Sequence, residues 1–190
     1  RIECSMLIFN AAISVCEKAH QWRKGLQLLQ AMQSQRISSD VITHNSAISA
    51  CEKGQQWEKA LDLFSAMEHE GAERDTVTYS AVACACEKGD QWQLSLVLLR
   101  EMPQRKVRRN EATYSAAIGA CERAQLWQDG VGLLADMKRS GITGDLVSRS
   151  AAIGLCETGR QWQAGLGLFA ALRSDAVLPD TVAHIAAIGL

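Results

Sequence analysis

Trp22, Trp57, Trp92, Trp127 and Trp162 stand 35 residues apart and are every tryptophan in the chain. Cys16, Cys51, Cys86, Cys121 and Cys156 keep the same beat, as do Glu17, Glu52, Glu87, Glu122 and Glu157. Five copies without an insertion or deletion exclude chance. Self-similarity at so short a period belongs to architectures in which each unit packs only on its neighbours, which disfavours a single-core enzyme fold. Framed from Val41, the repeats are 6–40, 41–75, 76–110, 111–145 and 146–180. Residues 1–5 then match the tail of an earlier unit and 181–190 the first helix of a later one. The expectation is one continuous array over 1–190, a fragment of a longer protein.

Each unit reads as two helices. In the second repeat His44, Ala47, Ile48 and Cys51 follow i, i+3, i+4, i+7 spacing and form one apolar stripe. Gly54, Gly89 and Gly159 are expected to close their first helices by supplying a left-handed C′ residue, with Ala19 and Ala124 replacing them elsewhere. The second helix opens at Trp57 and carries Ala60, Leu61, Phe64 and Met67, and a polar linker from Gly71 to Asp75 leads onward. Pairs this small cannot bury an apolar face alone, so neighbours must stack. The fold class is all-α, a right-handed superhelical solenoid of helix-turn-helix repeats.

The remaining chemistry is mostly exclusion. Twenty basic and twenty-one acidic residues leave a formal charge of −1, so no global field marks the chain for nucleic acid or membrane. No run approaches the ~18 apolar residues of a membrane span, and the chain reads as soluble. His20, His44, His69 and His184 form no zinc-spaced cluster. With no phosphate loop, nucleophile elbow or paired carboxylates, the reading is no catalysis, no metal, no cofactor and no small-molecule substrate. Equivalent cysteines one repeat apart exceed the ~7 Å Cα separation of a disulfide, so a reduced interior is expected. The densest cationic run, Arg105, Lys106, Arg108 and Arg109, follows Pro103, taken as a helix breaker.

The face of the first helix opposite the core carries a pattern of its own. It holds Leu7, Asn10, Ser14 and Lys18 in the first repeat and Ile42, Asn45, Ser49 and Lys53 in the second. The third has Val77, Ser80, Cys84 and Lys88, the fourth Ala112, Ser115, Gly119 and Arg123, the fifth Val147, Ser150, Gly154 and Thr158. Each stripe spans about 80° of the helix. An aliphatic at one fixed site and an amide or hydroxyl at another is more than a solvated face requires. Stacked side by side, the stripes line a groove.

These units resemble the pentatricopeptide repeat. The resemblance rests on the 35-residue length, the openings Val-Ile-Thr-His-Asn (41–45), Thr-Val-Thr-Tyr-Ser (76–80) and Glu-Ala-Thr-Tyr-Ser (111–115), and the closing Asp75 and Asp180. Tetratricopeptide repeats run 34 residues with the Trp in the first helix, whereas here it opens the second. The resemblance implies single-stranded RNA as partner, one base per repeat. It implies base specifiers at the fifth and last residues: Asn10/Asp40, Asn45/Asp75, Ser80/Asn110, Ser115/Asp145 and Ser150/Asp180. Leu7, Ile42, Val77, Ala112, Val147 and Val182 would sandwich bases, and Lys18, Lys53, Lys88 and Arg123 would lie near phosphates. By the family's code the pairs read 5′-UUAGG-3′, while Ile185 stands where the next specifier belongs. The family also implies mitochondrial or plastid RNA processing, stability or translation. Two other readings stay open at this point: a helical scaffold for protein partners, and a targeting piece for an appended catalytic domain.

Overall fold

The computed structural model describes residues 2–142, 144 and 146–158, with the side chains of residues 2–5, 146, 147, 149 and 158 left aside. The described residues form nine α-helices and no strand: α1 (Ile2–Lys18), α2 (Trp22–Ser34), α3 (Val41–Lys53), α4 (Trp57–His69), α5 (Thr76–Lys88), α6 (Trp92–Gln104), α7 (Glu111–Arg123), α8 (Trp127–Arg139) and α9 (Leu146–Thr158). This is an all-α solenoid of helix pairs. None of the described helices is long and apolar enough to cross a membrane. α1 reaches back to Ile2, four residues ahead of the frame set by the repeat.

The chain divides into two compact units, 1–89 and 90–190. In the first, α1 packs on α2 and α3, and α3 on α4 and α5; α2 and α4 each touch the first helix of their own and of the following repeat. The second unit repeats the scheme, with α7 packed on α6, α8 and α9, and α8 on α9. First helices are therefore enclosed on several sides, which explains their composition. Small residues let backbones approach: Ala47, Ala50 and Cys51 are buried in α3, and Ala81, Ala83, Ala85 and Cys86 in α5. The second helices add one fully buried methionine per repeat, Met32, Met67, Met102 and Met137, an unbranched side chain that fills irregular gaps.

Three expectations about local structure need correction. Gly54 and Gly89 are not left-handed, with φ −83° and −89°, and Gly159 lies outside the described residues. The left-handed residue is the next one, His20, Gln55, Asp90 or Gln125, each at φ 56°. Backbone bonds such as Gln56 N–H to Cys51 O (2.9 Å) close the turn behind it. Gly54 is small for a tertiary reason. A Cβ there would lie 2.7 Å from Trp22 Cγ and 3.1 Å from Trp22 Cβ, and Gly89 meets Trp57 at 2.5 and 2.9 Å in the same way. The tryptophan of one repeat thus seats on the glycine of the next.

Pro103 does not break α6 but sits inside its last turn. Its missing N–H leaves Leu99 O without a helical donor, and Arg109 Nε supplies one at 2.9 Å. Arg109 is correspondingly no solvated member of a basic run, since its Nη1 also meets Asp136 Oδ2 at 2.7 Å. Finally, Asn110, named above only as a base specifier, has a structural role as well. It is the N-cap of α7, its side chain accepting from Thr113 N at 3.0 Å.

Candidate functional site

The stripe of the first helices is laid out by the same geometry that buries the opposite side. Asn10 and Leu7 lie on the open side of α1, Asn45 and Ile42 on that of α3, and Val77 on that of α5, where Ser80 is buried. The aliphatic members are conspicuously wet: Leu7, Ile42 and Val77 are 63%, 64% and 57% exposed, and Ala112 is exposed as well. An aliphatic side chain thus stands open at the same site in each of these repeats.

Beside each of the first two stands a polar cluster. Asn10 Nδ2 donates to Asp40 Oδ1 at 3.2 Å and Oδ2 at 3.3 Å, and Asn45 Nδ2 donates to Asp75 Oδ1 at 3.1 Å. These pairs are 30 residues apart in sequence, the fifth and last residues of one repeat, and they meet because the last residue lies at the start of the next repeat's first helix. The aspartates are placed by a second job, as N-caps of α3 and α5. Asp40 Oδ1 accepts from Thr43 N at 2.8 Å and Asp75 Oδ1 from Thr78 N at 2.9 Å, each inside a reciprocal capping box. Oδ1 serves the cap in both, and Asp40 Oδ2 also accepts from Asn10 Nδ2. Burial pushes both carboxyls up, but hydrogen bonds from Thr43 and Asn10, and from Thr78 and Asn45, outweigh it and hold them below the ordinary 3.8.

Thr43 and Thr78, given no role by the sequence reading, complete these clusters. Thr43 Oγ1 lies 2.5 Å from Asn10 Oδ1, and Thr78 Oγ1 lies 2.7 Å from Asn45 Oδ1. A hydroxyl donor on one side of the amide and a carboxylate on the other leave a single sensible orientation, oxygen toward threonine and nitrogen toward aspartate. The threonine beat at 43, 78 and 113 was visible in the sequence, but the amides that Thr43 and Thr78 meet lie in the preceding repeat.

The other pairs are less complete. Ser80 is nearly buried and donates to Thr76 O at 2.6 Å. Asn110 caps α7 in the second unit, Ser115 is half-buried, and Ser150 is buried. Asp145, Asp180 and Val182 lie outside the described residues, as does the side chain of Val147.

The cations of the stripe are not all open to solvent. Lys53 Nζ meets Glu17 Oε1 at 2.8 Å, and Lys88 Nζ meets Glu52 Oε1 at 2.6 Å. Arg123 pairs with Asp90 at 2.9 Å, whereas Lys18 is exposed with no ion pair among the described residues. The described residues hold no cluster of histidine, cysteine or acid suited to a metal ion. Cys51, Cys86 and Cys121 are buried free thiols pushed up to about 11 by burial, far from a reactive thiolate.

Comparisons with known proteins agree with the fold and with the repeat family. A model described as the PPR repeat family matches residues 40–88, and a PPR repeat model matches 7–37, 77–107 and 112–142. No curated protein sequence matches the chain. Among solved structures, the pentatricopeptide repeat protein PPR10 from maize is 20% identical with a TM-score of 0.66, over 96% of this chain and 26% of that one. PPR10 in complex with an 18-nt psaJ RNA element aligns at 18% identity and TM-score 0.71, over 88% of this chain and 25% of that one. The PPR domain of Arabidopsis thaliana protein-only RNase P 1, solved in complex with tRNA, aligns at 12% identity and TM-score 0.84, over 95% of each chain. The chain therefore spans about a quarter of PPR10. At these identities the likeness is one of fold.

Proposed function

The chain belongs to the pentatricopeptide repeat family, and from that premise we propose that it binds single-stranded RNA in the groove of its first helices, one base per repeat. One observation carries the reading: Asn10 with Asp40, and Asn45 with Asp75, stand side by side next to exposed Leu7, Ile42 and Val77. An aliphatic pair brackets a base, and an oriented amide with an adjacent carboxylate reads its edge. The amide donates to a uracil carbonyl and accepts from its N3–H. Extended along the chain, the pairs Asn10/Asp40, Asn45/Asp75, Ser80/Asn110, Ser115/Asp145 and Ser150/Asp180 read 5′-UUAGG-3′, the N-terminus toward the 5′ end. A carboxylate suits the N1–H and N2–H₂ donors of guanine, while Asn110 complements adenine. The array is read as a binding device serving an organellar transcript, in mitochondrion or plastid, with no catalytic step assigned to its residues. PPR10 and the RNase P domain, both solved with RNA, support the polymer class.

A competition titration decides it. Labelled UUAGG RNA should be displaced by itself far more readily than by its complement or a scramble of equal length. Equal displacement by all three overturns the code. Absence of RNA binding, with capture of an apolar peptide in the same groove, would replace it with the scaffold reading.

A further inference from the structure

The acidic beat at Glu17 and Glu52 has no part in base reading, yet its carboxylates reach the groove. Glu17 Oε1, on α1, accepts from both Ser49 Oγ (2.9 Å) and Lys53 Nζ (2.8 Å) of the next repeat. Glu52 Oε1, on α3, accepts from Lys88 Nζ at 2.6 Å, with Cys84 standing where Ser49 does. Lys53 and Lys88 are thus each held by the first helix of the repeat before it, whereas Arg123 pairs with Asp90, beyond the end of α5. The bond to Glu52 is strong enough to hold the Lys88 ammonium above its ordinary pKa. Lys18, at the same site of the first repeat, is the exception and stands exposed.

Salt-dependent affinity for a polyanion comes from cations that replace its condensed counterions. A lysine already neutralised by a neighbouring carboxylate displaces few of them, and a phosphate that takes the lysine leaves that carboxylate, half-buried, without its partner. We propose that Glu17 and Glu52 restrain backbone binding by this array: they hold Lys53 and Lys88 in ion pairs that RNA phosphates must displace, so the sequence-independent part of the affinity is kept small. The inference rests on the RNA-binding reading above. It gives a polyanion-binding groove a reason to carry acids beside Lys53 and Lys88.

The test is the full chain with Glu17→Gln and Glu52→Gln together, titrated with UUAGG and a scrambled RNA from low to high salt. Glutamine keeps an acceptor for lysine and removes the charge. Both RNAs should bind at least three-fold more tightly at low salt, with their ratio unchanged. The log–log salt slope should steepen by about 1.4, two cations at ~0.7 each for a single strand. In a Lys53→Gln, Lys88→Gln background the gain should vanish, which separates freed lysines from a general change in net charge. Unchanged or weaker RNA binding by the glutamine variant overturns the proposal, as does a gain that survives loss of the lysines. A wild-type chain that binds no RNA defeats the underlying reading instead, so the two failures are distinguishable.

Discussion

Adding one methyl group should have opposite effects at two glycines. At Gly54 the new Cβ would fall 2.7 Å from Trp22 Cγ and 3.1 Å from Trp22 Cβ. Ordinary contact begins near 3.4 Å, so swinging the indole aside is not enough: the first carbon of the tryptophan must also retreat by a few tenths of an ångström. Overpacking of this kind costs about 1–3 kcal/mol. Gly54 caps α3 rather than sitting within it, so little helix propensity offsets the loss. Ala124 occupies the matching place in the fourth repeat, so the array accommodates a methyl there once its surroundings adjust, which puts Gly54→Ala at about 1–2 kcal/mol. At Gly132, exposed in the interior of α8, an added Cβ meets nothing within 4 Å. Gly132→Ala should stabilise by about 1 kcal/mol through propensity alone. Urea unfolding followed by circular dichroism should show the midpoint falling for the first variant and rising for the second, with hydrogen exchange locating the first effect at the end of α3. A Gly54→Ala protein as stable as wild type would refute the account of the Trp22 seat.

Asn110→Asp should turn the preference at the third base from adenine to guanine, read as the affinity ratio for UUAGG against UUGGG; α7 should persist, because Asn and Asp cap helices about equally well. An unmoved ratio removes Asn110 from the readers. Thr78→Val should lower the uracil preference at the second base several-fold and Thr78→Ser restore it, since the hydroxyl orients Asn45; equal preference in all three proteins counts against that role. Asp40 and Asp75 have folded values depressed below 3.8, so their stabilisation is fully present above 3.8 and is lost as pH falls through the folded values. Uracil preference should therefore be flat from about pH 8 to about pH 5, and a titration midpoint near neutrality would contradict it. Thiol counting on denatured, unreduced protein should return all seven cysteines of the sequence as free groups; four or fewer would overturn the reduced interior.

What one repeat does by itself was legible in the sequence. The 35-residue beat, the helix-opening tryptophans, the buried stripe of His44, Ala47, Ile48 and Cys51, and the exposed stripe of Ile42 and Asn45 all follow from periodicity within a single helix pair. Family membership followed from the same pattern. Meetings between repeats were decided only by the tertiary structure. Gly54 looks like a C-cap and is a seat for Trp22; Glu17 looks like a solvated acid and holds Lys53, 36 residues on. Thr43 looks like a helix-opening residue and orients Asn10, while Arg109 looks like part of a basic loop and pairs with Asp136 of the next repeat. The reason is geometric. Periodicity states which face of a helix is apolar, but which residue of the next repeat arrives opposite it depends on the small rotation and offset between stacked pairs. That rotation is set by the packing of all the side chains together and is written at no single position.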